Sequence, residues 1–254
     1  MSDALGRSAS SAVICVGGGG RRLGGVPKWL IELNGEPLLV RSLLLAAALS
    51  DEVVLLAGPE GECLWDEPRV RARTARLLAE VSERSGVRAR VWREPGQGQG
   101  QGAAGRSGPL TALCAALALA PRPWLWVLAC DAPLLTPALL APLAQRLTPH
   151  TLASLYTTPS AHRGEGGATP SASREALAVS VHPLAGLWSR EASPWARAQL
   201  NGGSLRRLCA HERVRLTPAP TPALLLNLNT PADLALDPLA PPSSRLHFTL
   251  PLLS

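Results

Sequence analysis

Lysine is almost missing from this chain: of its 25 basic residues, 24 are arginine and one, Lys28, is lysine. Phenylalanine, tyrosine and methionine occur once each, and asparagine only as Asn34, Asn201, Asn227 and Asn229. Such depletion fits a GC-rich coding bias, so a rare residue that survives it is a candidate for a chemical role. The five cysteines (Cys15, Cys63, Cys114, Cys130, Cys209) form no CxxC pair and leave an odd one over. That excludes a zinc ribbon or a disulfide framework and fits a reducing cytoplasm. No run approaches the roughly 18 apolar residues of a membrane span, and the opening MSDALGRSAS holds an acid and no apolar h-region. A cytoplasmic chain without membrane contact is expected. Aromatics make up 4% and are not interleaved with the arginines, so the net charge of +6 is not read as a nucleic-acid surface.

What is present, 46% hydrophobic and 17% charged residues over 254 positions, suffices for one large α/β domain. Strand and helix patterns alternate, which predicts a mostly parallel sheet covered by helices. Strands are expected at 12–16, 52–57, 87–92 and 124–129, with helices at 37–49, 67–85 and 109–120 between them. Asp66 reads as the N-cap of the second helix and Gly86 as its left-handed stop. Thr136-Pro137 opens a helix to about 147. Strands at 177–181, 184–188 and 213–216 and helical stretches near 191–200 and 204–211 complete the pattern. Two low-complexity stretches, 95–108 and 157–175, read as flexible loops. Residues 1–11 read as a tail, 12–236 as the domain, and 237–254 as a Pro-rich appendage whose apolar end either packs back or frays.

The densest chemistry lies in VICVGGGGRRLGGVPK, where a buried strand runs into six glycines, two arginines and the lone lysine. Consecutive glycines let backbone N–H groups approach an anion closely, and Arg22 and Lys28 add charge on phosphates. The loop is not a P-loop, for no Gly-Lys-Ser/Thr occurs, and Arg22 stands where a dinucleotide fingerprint needs its third glycine. GQGAAG at 100–105 matches that fingerprint literally, but inside a Gly-Gln repeat, several residues after a strand and without the acid such a site needs. Asp131 directly follows the strand WLWVLA. A carboxylate there faces the crevice where open α/β sheets bind ligands, and one carboxylate with substrate phosphates is a usual magnesium arrangement.

GGGGRRLGGVPKWLIELNGEPLLVRSL, GPLTALCAAL, WVLACDAPLLTPALLAPL, HPLAGLW, SLRRLC and NLNTPADL occur in the order found in the molybdenum cofactor guanylyltransferases. The chain resembles that family, within the glycosyltransferase-A-like nucleotidyltransferases, over residues 12–236. The resemblance implies a three-layer α/β/α fold, mostly parallel, with a Rossmann-like nucleotide half. It also implies transfer of GMP from GTP to molybdopterin, with magnesium and release of pyrophosphate.

By the same resemblance, Cys15, Val16, Gly17 and Gly18 hold the nucleotide, and Arg22, Gly25 and Lys28 are its phosphate-loop residues. Glu94 stands near the family's acidic position after the third strand, and Asp131 is the magnesium ligand. Asn227 and Asn229 match the pterin side, and His182 either orients the pterin or is structural. Pro27 and Glu94 replace the more usual aspartates, and Leu56 falls where some members carry a base-contacting asparagine. Arg22, Lys28 and Asp131 are the expected catalytic residues. The expected partners are GTP, molybdopterin and molybdoenzyme maturation proteins, with the chain itself a monomer or weak oligomer. Two enzymes remain open beside it: a cytidylyltransferase on molybdopterin and a guanylyltransferase on another phosphorylated metabolite. So does a regulator that binds nucleotide without turnover.

Overall fold

The computed structural model describes residues 5–17, 25–59, 64–94, 108–145, 147–159, 179–229, 233 and 248–249. Its main sheet is built, in chain order, from β1 (Ser10–Val16), β4 (Val53–Ala57), β5 (Ala89–Arg93), β6 (Trp124–Ala129), β7 (Ala153–Pro159), β8 (Val179–Ser189) and β9 (Val214–Pro218). These seven strands lie side by side in the order β5-β4-β1-β6-β8-β7-β9. The first four are mutually parallel, β8 runs antiparallel to both β6 and β7, and β9 is parallel to β7. The first strand begins at Ser10, so the last two residues read as a tail belong to the sheet.

Alternation along the strands builds both faces. Ala12, Ile14 and Val16 of β1 point into one core, with Val53 and Leu55 of β4 and with α1 (Leu38–Leu49) and α2 (Pro68–Ser85). Val13, Val54 and Leu56 point into the other, beneath α3 (Pro109–Leu119). Helices α5 (Ser193–Ala198) and α6 (Leu205–Cys209) join this second face through Ala196 and Leu208. Helices on both faces of a mostly parallel sheet make the three-layer α/β/α architecture expected. The central strands β1, β4 and β6 are buried, largely apolar runs because both of their faces are covered, whereas the edge strand β5 leaves Val91 and Trp92 exposed.

Gly86 ends α2 at φ +70, in agreement with the sequence reading. The N-cap of that helix is Glu67, however. Asp66 lies in a short 3-10 turn, where the single Arg93 nitrogen Nη2 donates to both of its carboxylate oxygens at 2.7 and 2.9 Å. Thr136 does cap α4 (Pro137–Leu140), its hydroxyl accepting from Leu139 N. That helix tightens into a 3-10 turn at Ala141–Ala144, where Pro142 cannot donate, and stops short of residue 147. The two strands expected at 177–181 and 184–188 are one strand, β8. Its register against β7 slips between Tyr156↔His182 and Ser154↔Leu187, so Pro183–Gly186 bulge out opposite Leu155. The opening of β7 has Ser154 and Thr157 buried among apolar neighbours, which breaks the pattern that marks a strand in sequence.

A second sheet stands behind Lys28. Strands β2 (Glu32–Leu33) and β3 (Glu36–Pro37) form a hairpin around Asn34 (φ 54) and Gly35 (φ 78), the two positive φ values that a type I′ turn requires. Strand β10 (Phe248–Thr249) pairs antiparallel with β2, so part of the C-terminal stretch packs back on the domain.

Candidate active site

Strand order reverses at β1: the chain moves from β1 outward to β4 and β5, then returns to place β6 on the other flank. A crevice at the carboxyl ends of β1 and β6 is the ligand-binding place of such sheets. Gly17 leaves β1 there, exposed, and Cys130 N–H donates to Cys15 O at 3.3 Å to hold the two ends together. Glu94 follows β5, its N–H bonded to Ala57 O. Its carboxylate reaches back over β4, so that a Cβ on Gly17 would lie 3.8 Å from Glu94 Oε1. Burial pushes the Glu94 carboxyl up to about 7. Burial, then the charges of Glu94 and Asp131, push the Cys15 thiol up to about 12, so it is no thiolate nucleophile at neutral pH.

Lys28 is held in place by its chain neighbours on both sides. Pro27 enters a 3-10 turn, Lys28–Leu30, in which Trp29 and Leu30 are buried. The Trp29 indole donates to Thr74 Oγ1 at 3.2 Å and packs on Trp65 with ring centroids 5.8 Å apart. Gly25, at φ +79, occupies the left-handed region that favours glycine. From this anchored turn the Lys28 ammonium donates to Asp131 Oδ2 at 2.9 Å and to Asn229 Oδ1 at 2.8 Å. Leu228 N–H donates to Asp131 O at 2.8 Å, which ties residues 226–229 to the end of β6. Asn229 N–H donates to Asp233 Oδ2, also at 2.8 Å.

Beside this charged knot opens a cleft of about 370 Å³ lined by Thr158, His182, Leu226, Asn227 and Asn229 among others. His182 Nε2 lies 2.9 Å from Thr158 Oγ1, and burial lowers the imidazole pKa, so the ring is neutral near pH 7.

Lys28, Asp131 and Asn229 meet directly, and His182 and Asn227 share the neighbouring cleft. Asn229 belongs to both regions, a double position its sequence match to the pterin side does not suggest. Arg22, Gly18, the decoy at 100–105 and most of the 157–175 loop lie outside the described residues. Leu56 is fully buried beneath α3 and presents nothing to a nucleotide base. Thr158 is missed in the sequence because it opens a low-complexity stretch.

For magnesium, the relevant observation is that two hard oxygens, Asp131 Oδ2 and Asn229 Oδ1, already converge on one cation, the ammonium. Magnesium takes oxygen ligands and commonly uses one or two carboxylates with substrate phosphates, so this donor pair suits it. Among the described residues no cluster of three or more His, Cys, Asp and Glu exists that would hold a metal without substrate.

A sheet with its switch point at β1, a glycine exit, and a lysine–carboxylate pair across the crevice define an α/β nucleotide-site protein. The chain belongs to the MobA-like NTP transferase domain family, which it matches over residues 12–216. It is similar to molybdenum cofactor guanylyltransferases of Pseudomonas paraeruginosa, 33% identical over 135 residues, and Pseudomonas putida, 32% over 134. Each match covers 53% of this chain. It spans 54% and 55% of these relatives, about half their length. In fold it resembles the molybdopterin-guanine dinucleotide biosynthesis protein A of Archaeoglobus fulgidus, with TM-score 0.53 and 17% identity over 88% of this chain and 94% of that one. The 2-C-methyl-D-erythritol 4-phosphate cytidylyltransferase of Thermus thermophilus is equally near, with TM-score 0.53 and 21% identity over 88% and 94% of the two chains. No helix among the described residues is long and apolar enough to cross a membrane.

Proposed function

We propose that this chain is a nucleotidyltransferase that moves GMP from GTP to molybdopterin and releases pyrophosphate. The observation that carries the reading is the pairing of Lys28 with Asp131 at the switch-point crevice, beside a neutral cleft lined by His182, Asn227 and Thr158. The names of the Pseudomonas relatives supply the base and the acceptor.

The reaction asks for positioning and charge stabilisation more than covalent chemistry. A phosphate monoester acceptor is already ionised near neutral pH, so no general base is required. The raised thiol of Cys15 likewise fits a site without a thiolate nucleophile. Lys28 and the amides from Gly17 onward would hold the β- and γ-phosphates and stabilise the departing pyrophosphate. Asp131, with Asn229 beside it, would hold magnesium, which when bound neutralises phosphate charge and fixes the in-line geometry. His182 and Asn227, with neutral donors and acceptors, would orient the uncharged pterin ring.

The test supplies GTP, CTP and ATP, each labelled at the α-phosphate, with magnesium and molybdopterin, and follows both label transfer and pyrophosphate. GTP is expected well above the others. Preferential CTP use would move the chain to the cytidylyl reading. Transfer only to another phosphorylated acceptor would keep the Lys28–Asp131 chemistry and overturn the cofactor assignment. Nucleotide binding without pyrophosphate release would leave a regulator.

A further inference from the structure

The geometry points to a second task for Lys28: its ammonium is a placeholder that occupies the divalent-cation position until a nucleotide draws it away. This rests on the assignment of Asp131 as the metal ligand. The Lys28 and Asp131 side chains keep only 21% and 17% of their exposure, so the carboxylate sits where an unpaired charge is costly. Its counter-charge in the resting chain is the lysine, 2.9 Å away, and Asn229 adds a second oxygen at 2.8 Å. An ammonium with two oxygens at that distance fills the space in which a small cation would bind the same oxygens. A divalent ion arriving alone must therefore evict Lys28 from its two oxygens without offering the ammonium a new anionic partner.

A triphosphate changes that balance, because it offers the ammonium new anionic partners while it brings the metal further oxygen ligands. Metal and nucleotide then bind together far better than either alone, and by linkage each raises the affinity of the other. The resting enzyme is thus protected from idle metal loading by its own catalytic lysine. Asn229, which grips the ammonium from the cleft side, is a positioning residue that sets how readily it leaves.

The single lysine gives a direct reading of this exchange. In protein labelled with [15N]lysine, Lys28 Nζ is the only side-chain ammonium signal. We expect it to be unmoved by Mg2+ alone and displaced when Mg2+ and α,β-methylene-GTP are added together. Mn2+ titrations followed by electron paramagnetic resonance supply the second measurement. Without nucleotide, Lys28→Met and Lys28→Gln should bind Mn2+ about tenfold tighter than the parent, since the competing charge is gone. Asn229→Ala should show no gain, because it removes one of the two oxygens offered to the metal along with one partner of the ammonium. Asp131→Asn should lose the nucleotide-dependent Mn2+ site altogether. If Asp131→Asn keeps that site, the metal assignment itself is wrong. If it loses the site but neither Lys28 variant binds Mn2+ tighter than the parent, the placeholder fails while the assignment stands. An Nζ signal unchanged in the ternary complex would also overturn it.

Discussion

Gly17, Glu94 and Asp131 stand just beyond strands that run in one direction, whereas Thr158 and His182 face each other from within two strands that run oppositely. In the parallel half, every strand delivers its following loop to the same edge, so residues distant in sequence converge without special contacts. In the antiparallel half, which side chains face the cleft depends on register, and here register is broken by the Pro183–Gly186 bulge. The first half is a charged machine tolerant of its scaffold. The second is a neutral surface whose shape depends on one irregularity.

That contrast breaks first if the charged half can be neutralised without loss. Lys28→Ala should cost about 2–4 kcal/mol of transition-state stabilisation, about 30- to 900-fold in turnover, in a variant that still folds. Steady-state kinetics on the folded variant checks this, and near-normal turnover would refute the division of labour. Lys28→Arg should also be impaired, since a planar fork does not replace a compact ammonium between two oxygens.

Glu94 sharpens the comparison through pH. Its carboxyl is raised by burial to about 7 from an ordinary 4.5, so the folded chain holds this proton more tightly than the unfolded one. The stabilisation is complete below about pH 4.5 and is lost as pH rises through 7. Glu94→Gln should therefore be more stable than the parent at about pH 8, by an amount on the order of 2 kcal/mol, with the difference closing toward about pH 5. Thermal melts across that range measure it, and parallel curves for the two proteins would contradict the burial argument.

In the antiparallel half, Gly186→Ala should destabilise by about 1–2 kcal/mol, because the new Cβ would stand 2.3 Å from the buried Leu155 Cδ2 and 3.4 Å from Ser154 O. Denaturant unfolding reads the stability. Acceptor KM should rise more than nucleotide KM, since the bulge adjoins His182. Smallest of all, Trp92→Ser on edge strand β5, where the indole is 53% exposed, should shift stability by less than about 0.5 kcal/mol.

The same division governs what is legible in the sequence. The strand at 124–129, the glycine stop of α2 and the crevice residues Lys28 and Asp131 can all be read there, because parallel buried strands are continuous apolar runs that end in glycine or a carboxylate. The strand Ala153–Pro159 cannot, since buried Ser154 and Thr157 hide its period, nor can the unity of β8, where His182-Pro183 and Gly186 read as a break. Asp66 looks like a cap because capping is the local use of an aspartate before a helix, and no local pattern announces Arg93, 27 positions away. The link from Asn229 to Lys28 spans 201 positions and is likewise invisible without coordinates.

The pairing of Phe248 with Leu33 has a meaning in time as well as in space. As the chain leaves the ribosome, the Asn34-Gly35 hairpin must wait for more than 200 further residues before its third strand, Phe248–Thr249, arrives. A two-stranded hairpin alone is marginal in water, so the platform behind the lysine firms only once that distant strand has been made. A nascent chain thus frames the turn that carries Lys28 only after residue 249 is made, and one stopped before it keeps the main sheet without that frame.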